Sequence, residues 1–137
     1  MQIILAKTAG FCFGVDRAVE LVEQAVRSGR RVATLGPIIH NRHVTQHFAQ
    51  MGVREIASPD EARADECVVI RSHGVSRAVY EQLEKSGLEI VDATCPFVKK
   101  IHRIIAETDA NGQQPVIIGT RSHPEVQAIA GWCTAPE

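Results

Sequence analysis

Short runs of β-branched and aliphatic residues alternate with amphipathic stretches from one end of the 137-residue chain to the other. Each run is about as long as a β-strand, and the stretches between them repeat their apolar residues with helical spacing. The runs with strand character are residues 2–6, 31–35, 53–57, 67–71, 88–93 and 116–119. Strands that alternate with helices form βαβ units, in which successive strands run parallel. The alternation therefore predicts an α/β fold with a mainly parallel sheet flanked by helices.

Capping residues and glycines mark where the helices between these runs begin and end. Asn41 is a favourable N-cap for the second helix, and Ser58 followed by Pro59 is a typical helix start. Glycine follows several of the helices, where it can adopt the left-handed conformation that ends them. The predicted helices cover about residues 15–27, 42–51, 76–85 and 97–108, with a shorter one from 58 and a last one from about 124.

The end of the chain predicts an incomplete second lobe. The run at 116–119 is followed by a helix but by no returning strand, which leaves apolar residues such as Val126 and Ile129 with little to cover. We therefore expect residues 1–95 to form a first α/β lobe and residues 96–137 to form the beginning of a second. The chain reads as truncated, the first lobe and the start of a second lobe of a multi-lobed α/β protein.

Composition excludes several functional classes. The chain has 15 Lys and Arg residues against 16 Asp and Glu residues, and no basic segment is interleaved with aromatic residues, so nucleic acid is not an expected partner. The longest apolar runs are far shorter than a membrane span, and the N-terminus lacks the basic start of a secretory signal. A cytoplasmic protein is expected. Its four cysteines then favour thiol chemistry or metal binding over disulfides.

The residues best suited to chemistry follow the predicted strands. In parallel α/β folds, ligands bind beyond the carboxyl ends of the strands, where loops and helix N-termini meet. A thiol, imidazole or carboxylate group is predicted there in five loops, which carry Cys12, His40, His73, Cys95, and His123 with Glu125. Chance would rarely bring so many such groups to one edge, so the sequence predicts a functional site there.

Three of these loops have a composition that suits close contact with a ligand. Cys12 stands between Gly10 and Gly14, so another group can approach its sulfur closely. His73 lies in a Ser-His-Gly-Val-Ser stretch just before a helix, where unpaired backbone N–H groups favour anions. His40 precedes another helix in the same way. Two histidines at helix N-termini suggest a phosphate or diphosphate ligand.

Simpler interpretations apply to several of these residues. Cys67 lies inside a strand run and is predicted to be a buried structural residue, and Cys133 has no motif around it. Cys12 and Cys95 lie in loops, but their separation matches no C-x-x-C pattern, so spacing alone leaves their role open.

The histidines also have simpler interpretations. His43 and His47 share a helix face without the glutamate of a zinc H-E-x-x-H motif, and His102 fits an ordinary helix position. The three loop histidines, at 40, 73 and 123, could simply cap helices. Two rival functions stay open at this point. One is a zinc hydrolase that uses the two loop cysteines with histidines, and the other is a phosphate-ligand binding module with inert cysteines.

Five motifs nevertheless resemble one family in order and spacing. They are GFCFGVDRA at 10–18, IHN at 39–41, SHGVS at 72–76, DATCP at 92–96 and IGTRSHPEV at 118–126. Together they resemble the 4-hydroxy-3-methylbut-2-enyl diphosphate reductases, the LytB/IspH family, and the resemblance covers the whole chain. It implies an oxidoreductase of the non-mevalonate isoprenoid pathway. Such an enzyme removes an allylic hydroxyl reductively, consumes two electrons and two protons, and yields isopentenyl and dimethylallyl diphosphate.

The resemblance also implies roles for the loop residues. The family holds a 4Fe–4S cluster through three cysteines, and Cys12 and Cys95 match the first two. His40 and His73 match residues that bind the diphosphate of the substrate. His123 and Glu125 match the pair at the substrate hydroxyl, where the glutamate delivers a proton and the histidine also binds substrate.

Two further expectations follow from this resemblance. The electron donor is expected to be a ferredoxin or a flavodoxin. Family members are longer and supply the third cluster cysteine from a part that this chain lacks, and Cys133 does not match it by motif. We therefore expect the 137-residue chain by itself to hold a cluster poorly and to show little turnover.

Overall fold

A four-stranded parallel sheet lies at the centre of the computed structural model, which describes residues 2–134. Its strands are β1 (Arg31–Leu35), β2 (Arg54–Ile56), β3 (Glu66–Ile70) and β4 (Glu89–Asp92), and they lie in the order β2-β1-β3-β4. The register pairs Ala33 with Val68 across the two central strands. The predicted parallel α/β fold is confirmed.

Burial on both faces explains why β3 is almost wholly apolar. All five of its residues are buried, as expected for a central parallel strand with helices above and below. One face packs against α1 (Phe13–Arg27) and α2 (Arg42–Gln50), and the other packs against α3 (Arg77–Lys85).

Most helix boundaries agree with the capping signals. Asn41 caps α2, because its Oδ1 accepts the N–H groups of His43 and Val44 at 3.0 and 3.3 Å. Ser76 caps α3 by accepting the N–H of Val79 at 3.4 Å. The start predicted at residue 58 yields only a short 3₁₀ turn, Pro59–Glu61. Beyond the sheet, α4 (Pro96–Ala110) and α5 (Pro124–Ala130) pack against each other.

Two predicted strands, at 2–6 and 116–119, are wrong. Neither segment is part of the sheet, and their large apolar residues face solvent: Ile4 is 82% exposed and Ile118 is 97% exposed. A strand needs a neighbour that supplies backbone hydrogen bonds, and within residues 2–134 these segments have none in the sheet. Their β-branched composition was therefore a misleading signal.

None of the helices within residues 2–134 combines the length and apolar character needed to cross a bilayer. The division into lobes at residue 95 stays a prediction.

Candidate functional site

Three loops that leave the carboxyl edge of the sheet are held side by side by backbone hydrogen bonds. They follow β1, β3 and β4 and carry His40, His73 and Cys95. The N–H of Ser72 donates to the carbonyl of Ile38 at 3.2 Å, and the N–H of Cys95 donates to the carbonyl of Ser72 at 2.9 Å. The strand pairing thus continues into the loops, so the loop residues are positioned by the sheet.

His40, His73 and His123 come together in what we call the histidine cluster. Their ring centroids are 4.5 Å apart for His40 and His73, 5.5 Å for His40 and His123, and 5.7 Å for His73 and His123. The rings are tilted or edge-on to one another, so each can offer a nitrogen to a shared ligand. Convergence of the loops on one edge, which the sequence predicted, is confirmed for these histidines.

His73 occupies the most buried position in the cluster. Burial lowers its pKa to about 4, and the neighbouring charges of His40, Arg71 and His123 act in the same direction. Its buried Nδ1 has no hydrogen-bond partner among residues 2–134. A neutral imidazole with an unused nitrogen, facing two further imidazoles, is well suited to hydrogen-bond an anion.

His123 and Glu125 stand at the start of α5. The backbone N–H of Glu125 donates to Nδ1 of His123 at 3.2 Å, so in the neutral ring the proton is carried by Nε2, which is free to donate to a ligand. The Glu125 side chain is half-buried one residue further on. The loop before α5 does not follow a strand, unlike the one that was predicted. The C-terminal end of α5 is instead anchored to α3, where the N–H of Arg77 donates to the carbonyl of Gly131 at 3.2 Å.

Cys12 and Cys95 stand at corresponding positions at the starts of α1 and α4. Each is the N-cap of its helix, and neither side chain makes a capping hydrogen bond, so both thiols are free to bind another group. Gly14 brings the two loops together. A Cβ built on it would lie only 2.5 Å from Sγ of Cys95, so the start of α1 packs directly on this sulfur.

The guanidinium of Arg17 also ties α1 to the loop that carries Cys95. It donates to the carbonyl oxygens of Thr94 and Asp92, at 3.3 and 3.4 Å. A further bond from the N–H of Thr94 to Oδ1 of Asp92, at 2.9 Å, shapes the turn before Cys95. Sequence reasoning missed Arg17 as a functional residue, although it lies inside the first motif.

Within residues 2–134 the side chains at this edge do not form a ligand set for a single metal ion. Within the described part of the chain, no three cysteine, histidine or acidic side chains converge as ligands of one ion. In a 4Fe–4S cluster each thiolate binds a different iron, so its ligands need not converge in that way. The two unbonded thiols of Cys12 and Cys95, on loops in direct contact, fit two of the positions on such a cluster.

The other cysteines and histidines agree with their simpler interpretations. Cys67 is buried in β3, and burial raises the pKa of its thiol, so its prediction as a structural residue is confirmed. Sγ of Cys133 donates to the carbonyl of Ala130 at 3.4 Å. His43 and His47 are exposed on α2. His102 is only 5% exposed and stacks on Trp132, with ring centroids 5.2 Å apart.

His102 supports the loop of His73, a contact that periodicity could not reveal. A Cβ on Gly74 would lie 2.5 Å from Cε1 of His102 and 2.9 Å from Cγ2 of Thr94. The indole N–H of Trp132 donates to the carbonyl of Val75 at 2.9 Å. The residues after His73 are therefore packed between α4 and the segment that follows α5.

The fold and site define a class: an α/β protein whose parallel-sheet edge carries a cluster of three histidines and, on neighbouring loops, two cysteines whose thiols make no capping hydrogen bond. The family model described as "LytB protein" matches residues 3–137. The chain belongs to the LytB family.

Curated relatives share this family. The chain is 44% identical over 137 residues to the 4-hydroxy-3-methylbut-2-enyl diphosphate reductase of Thermoanaerobacter sp. (strain X514), in a match that covers 97% of this chain and 48% of the relative. It is 46% identical over 132 residues to the protein of the same name from Citrifermentans bemidjiense, with 96% and 47% covered. The chain thus spans about half the length of the curated relatives that it matches.

Two solved structures of reductases with similar names also match this chain. A structure of (E)-4-hydroxy-3-methyl-but-2-enyl diphosphate reductase, the terminal enzyme of the non-mevalonate pathway, matches with a TM-score of 0.79 at 42% identity, covering 95% of this chain and 46% of that one. The E-1-hydroxy-2-methyl-but-2-enyl-4-diphosphate reductase from Plasmodium falciparum matches with a TM-score of 0.87 at 28% identity, covering 92% and 40%. Both resemble the parallel α/β architecture described above.

Proposed function

We propose that this chain provides the diphosphate-binding edge and two cluster ligands of a 4-hydroxy-3-methylbut-2-enyl diphosphate reductase. The observation that carries the proposal is the histidine cluster, with ring centroids 4.5 to 5.7 Å apart, together with the backbone hydrogen bond that joins the loop of His73 to the loop of Cys95. Relatives that carry this name are 44% to 46% identical to the chain. Because the chain spans about half of their length, the activity is proposed for the reductase of which these residues form a part.

The histidine cluster would bind the diphosphate of the substrate. A diphosphate carries several negative charges, and imidazole N–H donors that converge on one point can share its oxygens. His73 is neutral at pH 7 without ligand, because its pKa is lowered to about 4. A bound diphosphate would favour the protonated ring, so binding and proton uptake would be coupled. His40 and His73 would hold the diphosphate, and His123 would also reach the rest of the substrate.

Cys12 and Cys95 would hold two irons of a 4Fe–4S cluster. When bound, the cluster would supply the two electrons and the Lewis acidity that cleavage of an allylic C–O bond requires. Gly14 and Arg17 would keep the two cysteine loops in contact around it, through the packing and hydrogen bonds described above. Two thiolates are fewer than the three that the family uses, so we expect the 137-residue chain alone to retain the cluster weakly.

Glu125 would deliver the proton to the leaving oxygen. The carbon–oxygen bond breaks, the oxygen leaves as water with a proton from this carboxyl, and the second proton goes to the allyl carbon. Glu125 fits this role because it is half-buried beside His123, whose Nδ1 accepts its backbone N–H. His123 would orient the hydroxyl through Nε2. A ferredoxin or flavodoxin would supply electrons, and the cytoplasm would be the site of the reaction.

Metal analysis after anaerobic purification and reconstitution tests the cluster assignment. We expect iron and sulfide in equal amounts in the wild-type chain, lost on brief treatment with a chelator. Cys12→Ser and Cys95→Ser should each abolish the uptake. Cys133→Ser is the matched control, since a serine hydroxyl can keep the hydrogen bond to Ala130. Zinc without sulfide would support the hydrolase alternative instead.

A titration with inorganic diphosphate tests the binding edge. We expect the imidazole NMR signals of His40, His73 and His123 to shift along a single binding curve, while exposed His43 does not respond. Replacing His73 by Gln should weaken binding about tenfold, as expected for a lost hydrogen bond to a charged group. A shared site would be contradicted if none of the three imidazole signals shifted, or if only one of them did.

A further inference from the structure

Arg71 is a partly buried cation that has no counterion among residues 2–134. It directly follows β3, and its buried Nε has no hydrogen-bond partner among residues 2–134. The six ion pairs found in the described chain do not include it. Its Nη1 lies against the backbone after β1, because a Cβ built on Gly36 would come within 2.5 Å of that atom. The guanidinium is therefore fixed in place at the sheet edge but is not neutralised.

Such an arrangement is costly unless something else supplies negative charge. Removing an unpaired charge from water is unfavourable, and the cost is recovered only when a partner and hydrogen bonds are provided. Burial lowers the pKa of Arg71, and the charge of Glu55 only partly opposes this effect. Glu55 is exposed on the edge strand β2 and makes no ion pair with Arg71. The guanidinium stays protonated at neutral pH, so a ligand anion is the partner that would balance it.

A cavity of about 300 Å³ lies beside this guanidinium. Apart from Arg71, its polar lining residues are uncharged: Ser58, Ser76, Gln82 and Gln127. No carboxylate lines the cavity in the part of the chain that the structure describes. Asp60 and Glu61 directly follow the lining residue Pro59, and the carboxylates of both already accept hydrogen bonds. Oδ1 of Asp60 accepts Nε2 of Gln82 at 2.7 Å, and Oε2 of Glu61 accepts the N–H of Ala57 at 3.2 Å.

We propose that this cavity, which we call the Arg71 cavity, is a binding site for a small phosphate-like oxyanion, separate from the histidine cluster. Arg71 supplies the charge and a planar set of donors that matches two oxygens of such an anion. Hydroxyl and amide groups from Ser58 and Gln127 complete the lining. Among the described residues that line this cavity there is no histidine or cysteine, so the site does not depend on the reductase proposal.

The oxyanion could be an independent ion or one phosphate of a ligand that also reaches the histidine cluster. Arg71 and His73 lie two residues apart in the loop that follows β3, and the charge of Arg71 contributes to the lowered pKa of the His73 ring. The common chemistry is a phosphate group bound by a guanidinium. Inorganic phosphate and inorganic diphosphate, used as separate probes, distinguish the two sources.

The test is an NMR titration of the 137-residue chain with each probe. Inorganic phosphate is expected to shift the backbone amides of Ser58, Ser76 and Gln127 at millimolar concentration. In Arg71→Gln these shifts should need at least about tenfold more phosphate, because a charge-assisted hydrogen bond is lost. Arg103→Gln, which removes an exposed arginine on α4, is the control and should leave the response unchanged.

A second variant decides the matter if Arg71→Gln does not fold. Gln127→Glu places a carboxylate in the cavity from an exposed position and should abolish the phosphate response by occupying Arg71. Diphosphate that moves the cavity amides and the histidine rings along one curve assigns the oxyanion to a shared ligand, and separate curves assign it to an independent ion. The proposal is overturned if the cavity amides do not respond, or respond equally in Arg71→Gln or Gln127→Glu. A response of the histidine rings alone would overturn this site and leave the proposed function intact.

Discussion

The backbone turns sharply at Gly74, directly after His73. Its φ is +72°, a conformation that side chains disfavour, and a Cβ there would also collide with His102 and Thr94. Gly87 has almost the same φ, +71°, but nothing lies within 4 Å of the corresponding Cβ. A comparison of the two positions therefore distinguishes the cost of backbone strain, which both share, from the cost of steric overlap, which only Gly74 has.

Substitution of Gly74 by Ala should destabilise the protein more than the same change at Gly87. We expect Gly87→Ala to cost about 1 kcal/mol, from backbone strain alone. Gly74→Ala should cost about 1–3 kcal/mol more, because the neighbours must move. Urea unfolding followed by circular dichroism measures both. Equal costs would mean that the loop of His73 is not packed against α4 as described.

His102 should make the free energy of unfolding vary with pH in the mildly acidic range. Burial lowers its pKa from 6.5 to about 4, while Asp92 opposes the shift and Lys99 adds to it. Between these values the unfolded chain binds a proton that the folded chain does not, so stability rises with pH and is lost as pH falls from 6.5 towards 4. The loss is on the order of 3 kcal/mol if the whole shift is realised.

His102→Gln should reduce this loss, since glutamine does not titrate. His43→Gln, at an exposed position on α2, is the matched control and should keep the wild-type slope. The measurement is the urea midpoint at several pH values between 7 and 4. Identical slopes for wild type and His102→Gln would show that His102 is not held in its neutral form.

At the scale of the elements, the N-cap of α2 fixes the residue that follows His40. Asn41 makes two capping hydrogen bonds, whereas Ser58, at the N-cap of the 3₁₀ turn, makes none. Asn41→Ala should cost about 1 kcal/mol of unfolding free energy, and Ser58→Ala should cost only a few tenths. Chemical denaturation checks this difference. Similar costs for the two would contradict the role of the cap in holding this loop.

The edge strand β2 is fixed by an ion pair with β3 in which the Glu66 carboxylate is buried and the Arg54 guanidinium is partly exposed. Nε and Nη2 of Arg54 donate to the carboxylate of Glu66 at 3.0 and 2.7 Å, and these bonds are the main reason that the pKa of Glu66 is lowered to about 2. Glu66→Gln should cost about 2–3 kcal/mol at pH 7 by leaving the guanidinium without its counterion. Asp65→Asn breaks the exposed pair with Arg31 and should cost less than about 1 kcal/mol.

The pH dependence of the Glu66 effect has a definite sign. A carboxyl with a lowered pKa stabilises the folded state above its unfolded pKa, here about 4.5, and this contribution is lost as pH falls towards 2. The difference between wild type and Glu66→Gln should therefore shrink between pH 5 and pH 3. A difference that stays constant over this interval would rule out the ion pair as its cause.

The sequence predicted the central elements more accurately than the outer ones. The runs that became β1 and β3 are buried strands, and Asn41 caps α2 as its residue type indicated. The runs at 2–6 and 116–119 have equally strong β-branched character but pair with nothing in the described sheet. Local propensity cannot reveal whether a pairing partner exists, because that depends on tertiary structure.

At the scale of the whole molecule, the candidate site was predictable as a list of loops but not as a geometry. The predicted order of strands placed His40, His73 and Cys95 on one edge, and each of their loops does follow a strand. It placed Cys12 and His123 there through the runs at 2–6 and 116–119, which are not strands of the described sheet. The contact of Gly14 with Cys95 was not predictable, because the two residues are far apart in sequence. The same holds for the packing of Arg71 against Gly36, which leaves its guanidinium unpaired in the described chain. Arg17 could have been found, since it lies within the motif of Cys12.

The central claim is that this sheet edge carries the cluster ligands and diphosphate site of a reductase. The most direct test joins residues 1–137 to the remaining half of the Thermoanaerobacter reductase, in place of the matching segment, and measures reduction of 4-hydroxy-3-methylbut-2-enyl diphosphate. The chimera should be active, Cys133→Ser should keep that activity, and Cys12→Ser should lower it by at least about a thousandfold through loss of the cluster. A folded chimera that is inactive, or whose activity survives Cys12→Ser, would contradict the claim.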